Sequence, residues 1–258
     1  MLDGAACSRC GDTLDRAGYS SLCRACRMAP PPFVRAVAYG LYEGGMREAI
    51  HALKYNRLRP AARLLGQMLA QAIAKLAGEA PAEMLVVPVP LHRSKYAQRG
   101  FNQARALAEE ALRDLRKTHP AWQLTLAPTT LLRLRPTESQ AGLTPHQRRQ
   151  NVRGAFSIAD AGRVTAKHIL LVDDILTTGA TVRAAALALA RAGAASVWVA
   201  TLSRAQRHGA PDVERIDVDG SDEYEIRATV ADFDGADFGF DFQPGQAAST
   251  KQDANVNN

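Results

Sequence analysis

The sequence predicts an α/β fold, an open parallel sheet flanked by helices, with a small cysteine-rich module at the amino end. Residues 168–195 read as one unbroken unit of strand, acidic pair, small-residue loop and helix. Ile169, Leu170, Leu171 and Val172 form a continuous apolar run, as a strand covered on both faces requires. Val182, Ala185, Ala186, Leu189 and Ala190 then recur at helical spacing. A second apolar run, Met-Leu-Val-Val-Pro-Val at 84–89, precedes another amphipathic stretch, and a third at 196–202 follows the first helix. Strands alternating with helices build a parallel sheet by right-handed crossovers, and such sheets take ligands at the carboxyl ends of their strands.

The loop in 168–195 carries the chemistry. Thr177, Thr178, Gly179, Ala180 and Thr181 are all small, and three carry hydroxyls. A loop opening a helix offers unpaired backbone N–H groups to an anion, and the helix dipole adds to the attraction. Gly179 lets the backbone come close to a phosphate, and threonine hydroxyls donate further bonds. Asp173 and Asp174 end the strand just before this nest. Carboxylates repel a bare phosphate, so they face another part of the ligand, and the vicinal hydroxyls of a ribose are the natural match. The inferred ligand is a ribose carrying a 5-phosphate. Neither a P-loop lysine motif nor a Gly-x-Gly-x-x-Gly after a strand occurs. The plainer alternative, an ordinary strand whose acids cap the next helix, leaves the joint occurrence of acids and loop unexplained. Residues 170–181 resemble the phosphoribosyl-diphosphate-binding motif of type I phosphoribosyltransferases, which run hydrophobic residues, two acids, then small residues and threonines.

The 258 residues, 47% hydrophobic, suffice for one α/β domain with small additions. No apolar run of membrane-spanning length occurs, so no membrane insertion is expected. The first residues lack the basic region and apolar core of a signal peptide, and a cytoplasmic location is the expectation. Net charge is +6, unevenly spread. Residues 209–258 hold 12 Asp+Glu against 3 Lys+Arg, a balance of −9, which leaves +15 for residues 1–208. A body that basic suits nucleic acid or phosphorylated small molecules; a merely soluble basic surface is the alternative.

In chain order, Cys7, Cys10, Cys23 and Cys26 form two Cys-x2-Cys knuckles separated by 12 residues. Four soft thiolates suit a tetrahedral Zn2+, and four protein ligands leave no open position, so the ion is structural. Disulfides are the alternative, disfavoured in a cytoplasmic setting. Residues 1–30 are read as this zinc ribbon. Pro30, Pro31 and Pro32 follow as a stiff linker. Residues 33–42 suggest a strand or hairpin. Gly44 and Gly45 open a segment with Met46, Ile50 and Leu53 that ends in the basic cluster Lys54, Arg57 and Arg59. Pro60 starts a helix with the stripe Ala62, Leu65, Leu69, Ile73 and Leu76.

After the strand at 84–89 comes a basic loop, His92, Arg93, Lys95 and Arg99, then Gly-Phe-Asn-Gln at 100–103 and a helix through Ala104, Leu107, Ala108, Ala111, Leu112 and Leu115. The loop suits the diphosphate end of the ligand, with Arg93 the best single candidate; a solvated basic turn is the alternative. His92 reads as a surface or supporting histidine. Residues 122–134 hold two short β-like runs separated by Pro128. A polar loop rich in Thr, Ser and Gln follows, with Arg133 and Arg135 before it and Arg148 after it. Such a loop could close over a phosphorylated ligand and exclude water, or simply connect. Residues 155–158 form a short strand.

Several blocks resemble one family, the ComF proteins. The cysteine knuckles resemble its amino-terminal zinc ribbon. Val-Pro-Val-Pro-Leu at 87–91 and Arg-Gly-Phe-Asn-Gln-Ala at 99–104 resemble a second block. Arg133, Arg135, Thr137, Ser139, Gln140 and Leu143, with Arg148, Asn151, Val152 and Phe156, resemble a third. Leu-Val-Asp-Asp-Ile-Leu-Thr-Thr-Gly-Ala-Thr at 171–181 resembles a fourth. The resemblance spans residues 7–204. It implies a type I phosphoribosyltransferase fold at 33–207 behind the ribbon, and a link to natural competence, DNA uptake and the handling of incoming single-stranded DNA. By position it implies that Asp173 and Asp174 hold ribose hydroxyls, that residues 177–181 hold the 5-phosphate, and that Arg93 and its neighbours meet the diphosphate with Mg2+.

Three functions fit these residues. Phosphoribosyl transfer would break the anomeric carbon–oxygen bond and release diphosphate, with Asp173 or Asp174 steadying the cationic sugar. A single-stranded-DNA-binding module would use Arg99, Arg133, Arg135 and Arg148 along the strand's phosphates; aromatic residues, at 6%, limit base stacking. A regulator would bind the sugar ligand as a signal without turnover. The departure from the family is an acidic extension, 208–258. It has one possible strand at 224–230 and a disordered end at 243–258, and reads as a solvated appendage rather than a cover for the basic body.

Overall fold

A computed structural model of the chain describes residues 6–14, 20–55, 61–136, 147 and 152–206. The elements run α1 (Arg24–Met28), β1 (Ala36–Leu41), α2 (Gly44–Tyr55), α3 (Ala61–Ala74), β2 (Glu83–Pro88), α4 (Arg93–Arg99), α5 (Gln103–Thr118), β3 (Gln123–Leu126), β4 (Leu131–Arg133), β5 (Phe156–Ile158), β6 (His168–Leu176), α6 (Ala180–Arg191) and β7 (Ser196–Arg204). Arg57, Arg59, Pro60, the loop from Thr137 through Arg148 to Asn151 apart from Gln147, and the extension beyond 206 lie outside the described residues.

Five strands form one sheet in the order β1-β7-β6-β2-β3, and every neighbouring pair is parallel. Successive residues of a strand point to opposite faces, and β6 and β7 sort their side chains accordingly. Leu170, Val172, Ala200 and Leu202 pack with Ile50 and Leu53 of α2, Leu65, Leu69 and Ile73 of α3, and Leu107 and Leu112 of α5. Ile169, Leu171, Val197 and Val199 pack with Val182, Ala185 and Leu189 of α6 on the other face. Burial on both faces is why these strands are apolar throughout.

Strand order places the site. From β2 the chain moves outward to β3, whereas from β6 it moves the other way to β7. The crevice at the carboxyl ends of β2 and β6 is therefore a topological switch point. Val89 N–H bonds the Val172 carbonyl at 2.8 Å, so β2 ends level with the residue before Asp173.

Most elements match the sequence reading. The stripe Ala62, Leu65, Leu69, Ile73 and Leu76 is buried. Residues 33–42 resolve to a single strand, β1, on the sheet edge beside β7. The two runs at 122–134 are both strands but join different sheets: β3 pairs with β2, and β4 forms an antiparallel pair with β5. The basic stretch after β2 is not a loop but the helix α4. It buries none of its residues, so it has no apolar stripe to reveal it. Local caps make it instead: His92 Nδ1 accepts from Ser94 N–H, and Gly100, at φ 77°, ends it with its N–H on the Tyr96 carbonyl. The proline run does not stand away from the body as a linker. Pro31 is buried, and the Ala29 carbonyl accepts from the Arg183 guanidinium at 2.8 Å.

The cysteine module shares the core on the α6 face. Cys7, Cys10, Cys23 and Cys26 pack in the same cluster as Leu176, Val182 and Val199. Ala36 N–H, opening β1, bonds the Arg9 carbonyl at 2.8 Å. Arg204, the last residue of β7, is 2% exposed. Its Nη2 lies 3.2 Å from Asp12 Oδ1 and 3.7 Å from Cys10 Sγ.

At Gly66, α3 passes close to α5. A Cβ there would lie 2.3 Å from the Glu110 Cβ and 3.3 Å from the Ala111 backbone nitrogen, so α3 and α5 would have to separate. Gly66→Ala is expected to destabilise the fold by about 1–3 kcal/mol despite alanine's better helix propensity, seen as a lowered midpoint in denaturant titration.

Candidate functional site

Asp173 and Asp174 lie near the carboxyl end of β6, 9% and 5% exposed. Sealed carboxylates need partners, and three other elements supply them. Lys54, carried on α2, puts its Nζ 3.0 Å from Asp174 Oδ2. Gln103, opening α5, donates its Nε2 to the same oxygen at 3.1 Å. Asp173 Oδ1 accepts the Asp174 backbone N–H at 2.9 Å, which fixes that carboxyl against its own strand. Arg133, from β4, sits with its guanidinium carbon 5.4 Å from the Phe156 ring centroid and close enough to Asp173 for each to feel the other's charge.

Burial and the neighbouring Asp174 charge push the Asp173 carboxyl up to about 7, against the pull of the Asp174 N–H, Lys54 and Arg133. The folded chain thus holds a proton that an unfolded aspartate releases near pH 4. The stability this proton contributes is full below about pH 4 and is lost as pH rises through about 7. Burial works against the Lys54 charge too, but Asp174 and then Asp173 outweigh it, and the ammonium holds its proton more firmly than a free lysine. Lys95 shows the reverse: burial, then the charges of Arg133, Arg99 and Lys54, pull it below the usual lysine range. Lys54, Arg99 and Arg133 thus lie close enough to Lys95 to act on its charge, and such a group of cations favours an anionic occupant.

Beyond the acids, β6 ends at Leu176 and α6 begins at Ala180. Gly179 caps the helix at φ 76°, with no side-chain cap bond, in the left-handed region where glycine is unstrained. Thr178 Oγ1 accepts from Ala180 N–H at 3.4 Å. Thr177, Thr178 and Thr181 are half-buried, while Gly179 and Ala180 are buried, so the turn meets solvent through its threonines. The acids and the helix-opening turn thus occupy one end of the sheet, as their adjacency in sequence requires.

The remaining candidates separate. Arg93 is exposed at the start of α4, while Lys95 and Arg99 turn toward the other cations. Arg135 is exposed and donates to the Arg153 carbonyl at the base of the β4–β5 pair. Arg148 lies outside the described residues. The segment Gly-Phe-Asn-Gln at 100–103 divides its labour. Gly100 ends α4, and Phe101 is core. Asn102 caps α5 and donates Nδ2 to the Val89 carbonyl at 3.0 Å; Gln103 reaches Asp174. Sequence reasoning missed Lys54 and Gln103 as site residues. The available signal was a lysine and a glutamine next to the buried Leu53 and Phe101, polar groups that the core carries inward.

The four cysteines are buried, with their sulfurs all within 4.8 Å of one another and Cys10 and Cys23 3.7 Å apart. Thiolates about 2.3 Å from a common tetrahedral ion stand about 3.8 Å apart, so the cluster fits a metal ion such as zinc. Among the described residues it is the one group of three or more His, Cys, Asp or Glu side chains placed to hold an ion. No helix among the described residues is long and apolar enough to cross a membrane.

A model of the phosphoribosyl transferase domain matches residues 104–234, a span that takes in the acidic pair and the turn before α6. The chain belongs to that family. Its relatives include the DNA utilization protein YhgH of Salmonella typhi, 34% identical over 201 residues, which cover 77% of this chain and 83% of that one. YhgH of Escherichia coli strain K12 is 32% identical over 205 residues, 78% and 85% of the two chains. Competence protein F of Haemophilus influenzae is 29% identical over 202 residues, 77% and 84%. The resemblance to the ComF proteins therefore holds over most of the chain. A solved structure titled as the allosteric regulatory enzyme of purine biosynthesis overlaps 55% of this chain and 25% of its own, at 26% identity and a TM-score of 0.33.

Full-length protein purified without chelators is expected to carry about one metal ion per chain by elemental analysis, following the four-ligand geometry. Cys10→Ser is expected to lose most of that metal and to melt at a lower temperature, since metal binding to such a cluster is folding free energy.

Proposed function

We propose that this chain binds 5-phosphoribosyl 1-diphosphate at the carboxyl ends of β2 and β6 and acts in the handling of incoming DNA. The observation that carries the reading is the placement of the buried acids on β6 beside the Gly179-capped start of α6, with Lys54 and Arg133 against the acids and Lys95 and Arg99 near those two cations. The backbone N–H groups opening α6 and the threonines at 177, 178 and 181 take the 5-phosphate. Asp173 and Asp174 accept hydrogen bonds from the ribose hydroxyls. The cations meet the diphosphate. Mg2+ suits that end of the ligand, because it binds through substrate phosphates and retained waters rather than a dedicated protein cage. The relatives' names, DNA utilization and competence, support the link to DNA. The cysteine cluster holds Zn2+ as a structural ion.

Transfer would break the anomeric carbon–oxygen bond, release diphosphate and bond that carbon to the acceptor's nucleophile, passing through an oxocarbenium-like sugar beside the acids. A preorganised field of this kind stabilises both charges as they develop. Calorimetry with phosphoribosyl diphosphate and Mg2+ tests binding, and diphosphate release in the presence of single-stranded DNA tests turnover. No heat of binding with the wild-type chain would remove the reading.

Asp174→Asn is expected to weaken ligand binding about ten- to a hundredfold, the worth of a hydrogen bond to a charged group. Asp173 accepts from a hydroxyl best as the carboxylate, and its carboxyl ionises at about 7. Affinity is therefore expected to rise as pH increases from about 6 to about 8. Asp173→Asn is expected to flatten the part of that rise due to this group, measured by calorimetry at several pH values against the wild type.

A second reading, a single-stranded-DNA surface, is favoured by α4. This helix carries Arg93, Lys95 and Arg99, buries no residue, and leaves Tyr96 51% exposed. Cations along a strand's phosphates with an aromatic face for a base are the usual components of such surfaces. DNA binding through α4 is expected to weaken steeply with added salt and to fall in Arg93→Ala and Tyr96→Ala; a flat salt response rejects it.

A further inference from the structure

We infer that Lys54 is a positioning residue for the acidic pair: its buried ammonium, carried in on α2, clamps the Asp174 carboxylate together with Gln103 and supplies the charge that lets both acids face a polyhydroxy ligand. The inference rests on the reading of that pair as the group that accepts ribose hydroxyls.

The geometry starts from the core. Ile50 and Leu53 of α2 are 0% exposed and pack with Leu65, Val172 and Ala200. Lys54 follows Leu53 directly, so its backbone is fixed by a neighbour that cannot move without opening the core. Its side chain is 18% exposed and that of Asp174 7%, with 3.0 Å between the charged atoms. A surface ion pair of this length contributes little. A sealed one is different: removing either partner leaves a charge stranded out of water. Gln103 Nε2 shares Asp174 Oδ2 at 3.1 Å. An ammonium and an amide from two different helices therefore converge on one oxygen, which fixes the rotation of the carboxylate.

The charges around the pair assign Lys54 a particular part. From α2 it acts on both acids, and the same helix carries His51, which feels the charges of Lys54 and Arg47. Tyr42, after β1, lies within its field. From β4, Arg133 acts on Asp173. From α4, Lys95 and Arg99 join the cationic side. Lys54 makes a direct ion pair with Asp174. Without it, Asp173 loses a charge that opposes its burial and the Asp174 charge, so it holds its proton to higher pH, and a protonated carboxyl is a poorer acceptor from a hydroxyl.

The test is a carbon-detected NMR titration of the aspartate carboxyls in the ligand-free full-length chain, with Asp173 assigned by its loss in Asp173→Asn. The wild type is expected to show a midpoint of about 7 for Asp173. Lys54→Met should raise it by about one unit or more, the usual effect of losing an adjacent opposite charge, and Lys54→Arg should return it most of the way. Should Lys54→Met not fold, the same comparison is made with Lys54→Gln. An unmoved midpoint in the neutral variant overturns the inference, as does an arginine variant that behaves like the neutral one. Calorimetry with phosphoribosyl diphosphate and Mg2+ across the same pH range supplies the second readout, and the pH at which affinity rises should move up in parallel. A uniform loss of affinity with an unmoved pH profile would mark Lys54 as merely structural. A wild type that binds no ligand at any pH removes the proposed function, while the carboxyl titration still decides whether Lys54 governs the pair.

Discussion

Two carboxylates sealed from water at the end of the central strand are the constraint from which the rest of this fold can be read. An isolated buried carboxylate is far too costly to persist, so the neighbouring elements are arranged to answer it. α2 delivers Lys54, α5 delivers Gln103, and the β4–β5 pair delivers Arg133. Each of these elements is held in turn by its own packing: Leu53 in the core, Asn102 tied to the end of β2, and Phe156 beneath the Arg133 guanidinium. The acids sit at the switch point of a parallel sheet, the place where strand order leaves a crevice.

The compensation is incomplete. Asp173 keeps its proton to about pH 7 while Lys95 is pressed by three other cations. The two have opposite sign: one is a carboxyl whose negative charge is disfavoured, the other an ammonium whose positive charge is disfavoured. A ligand with hydroxyls at one end and phosphates at the other relieves both at once. Groups whose charges are disfavoured in this way cluster at functional sites, and this pair is consistent with the proposed ligand.

The cysteine module bears on the same region from the opposite face of the sheet. Arg204 reaches Asp12 and Cys10 from the end of β7. Its register partner on β6 is Leu176, the residue before the threonine-rich turn. Arg183, in the first turn of α6, holds the Ala29 carbonyl. The module thus braces both the strand that ends at the turn and the helix that begins there. The cysteines share a core with Leu176 and Val182, residues that flank the threonine-rich turn.

What the sequence by itself determined is whatever is local. The apolar run, acids, turn and helix of β6 and α6 are consecutive, so their spacing places them together in any fold that keeps a strand-to-helix turn, and the two Cys-x2-Cys knuckles bring their sulfurs together in the same way. Tertiary structure alone decided the partners of the acids. Lys54 and Gln103 stand far from Asp174 along the chain, and no periodicity connects a lysine at the end of one helix with a glutamine at the start of another. It also decided that Lys95 and Arg99 are half-buried while Arg93 is exposed, because α4 is made by end caps and carries no apolar stripe that would fix its faces in advance. The physical reason is common to all three: burial and charge pairing are properties of a location, and a location in a parallel sheet is assembled from strands and helices whose adjacency the chain order does not reveal.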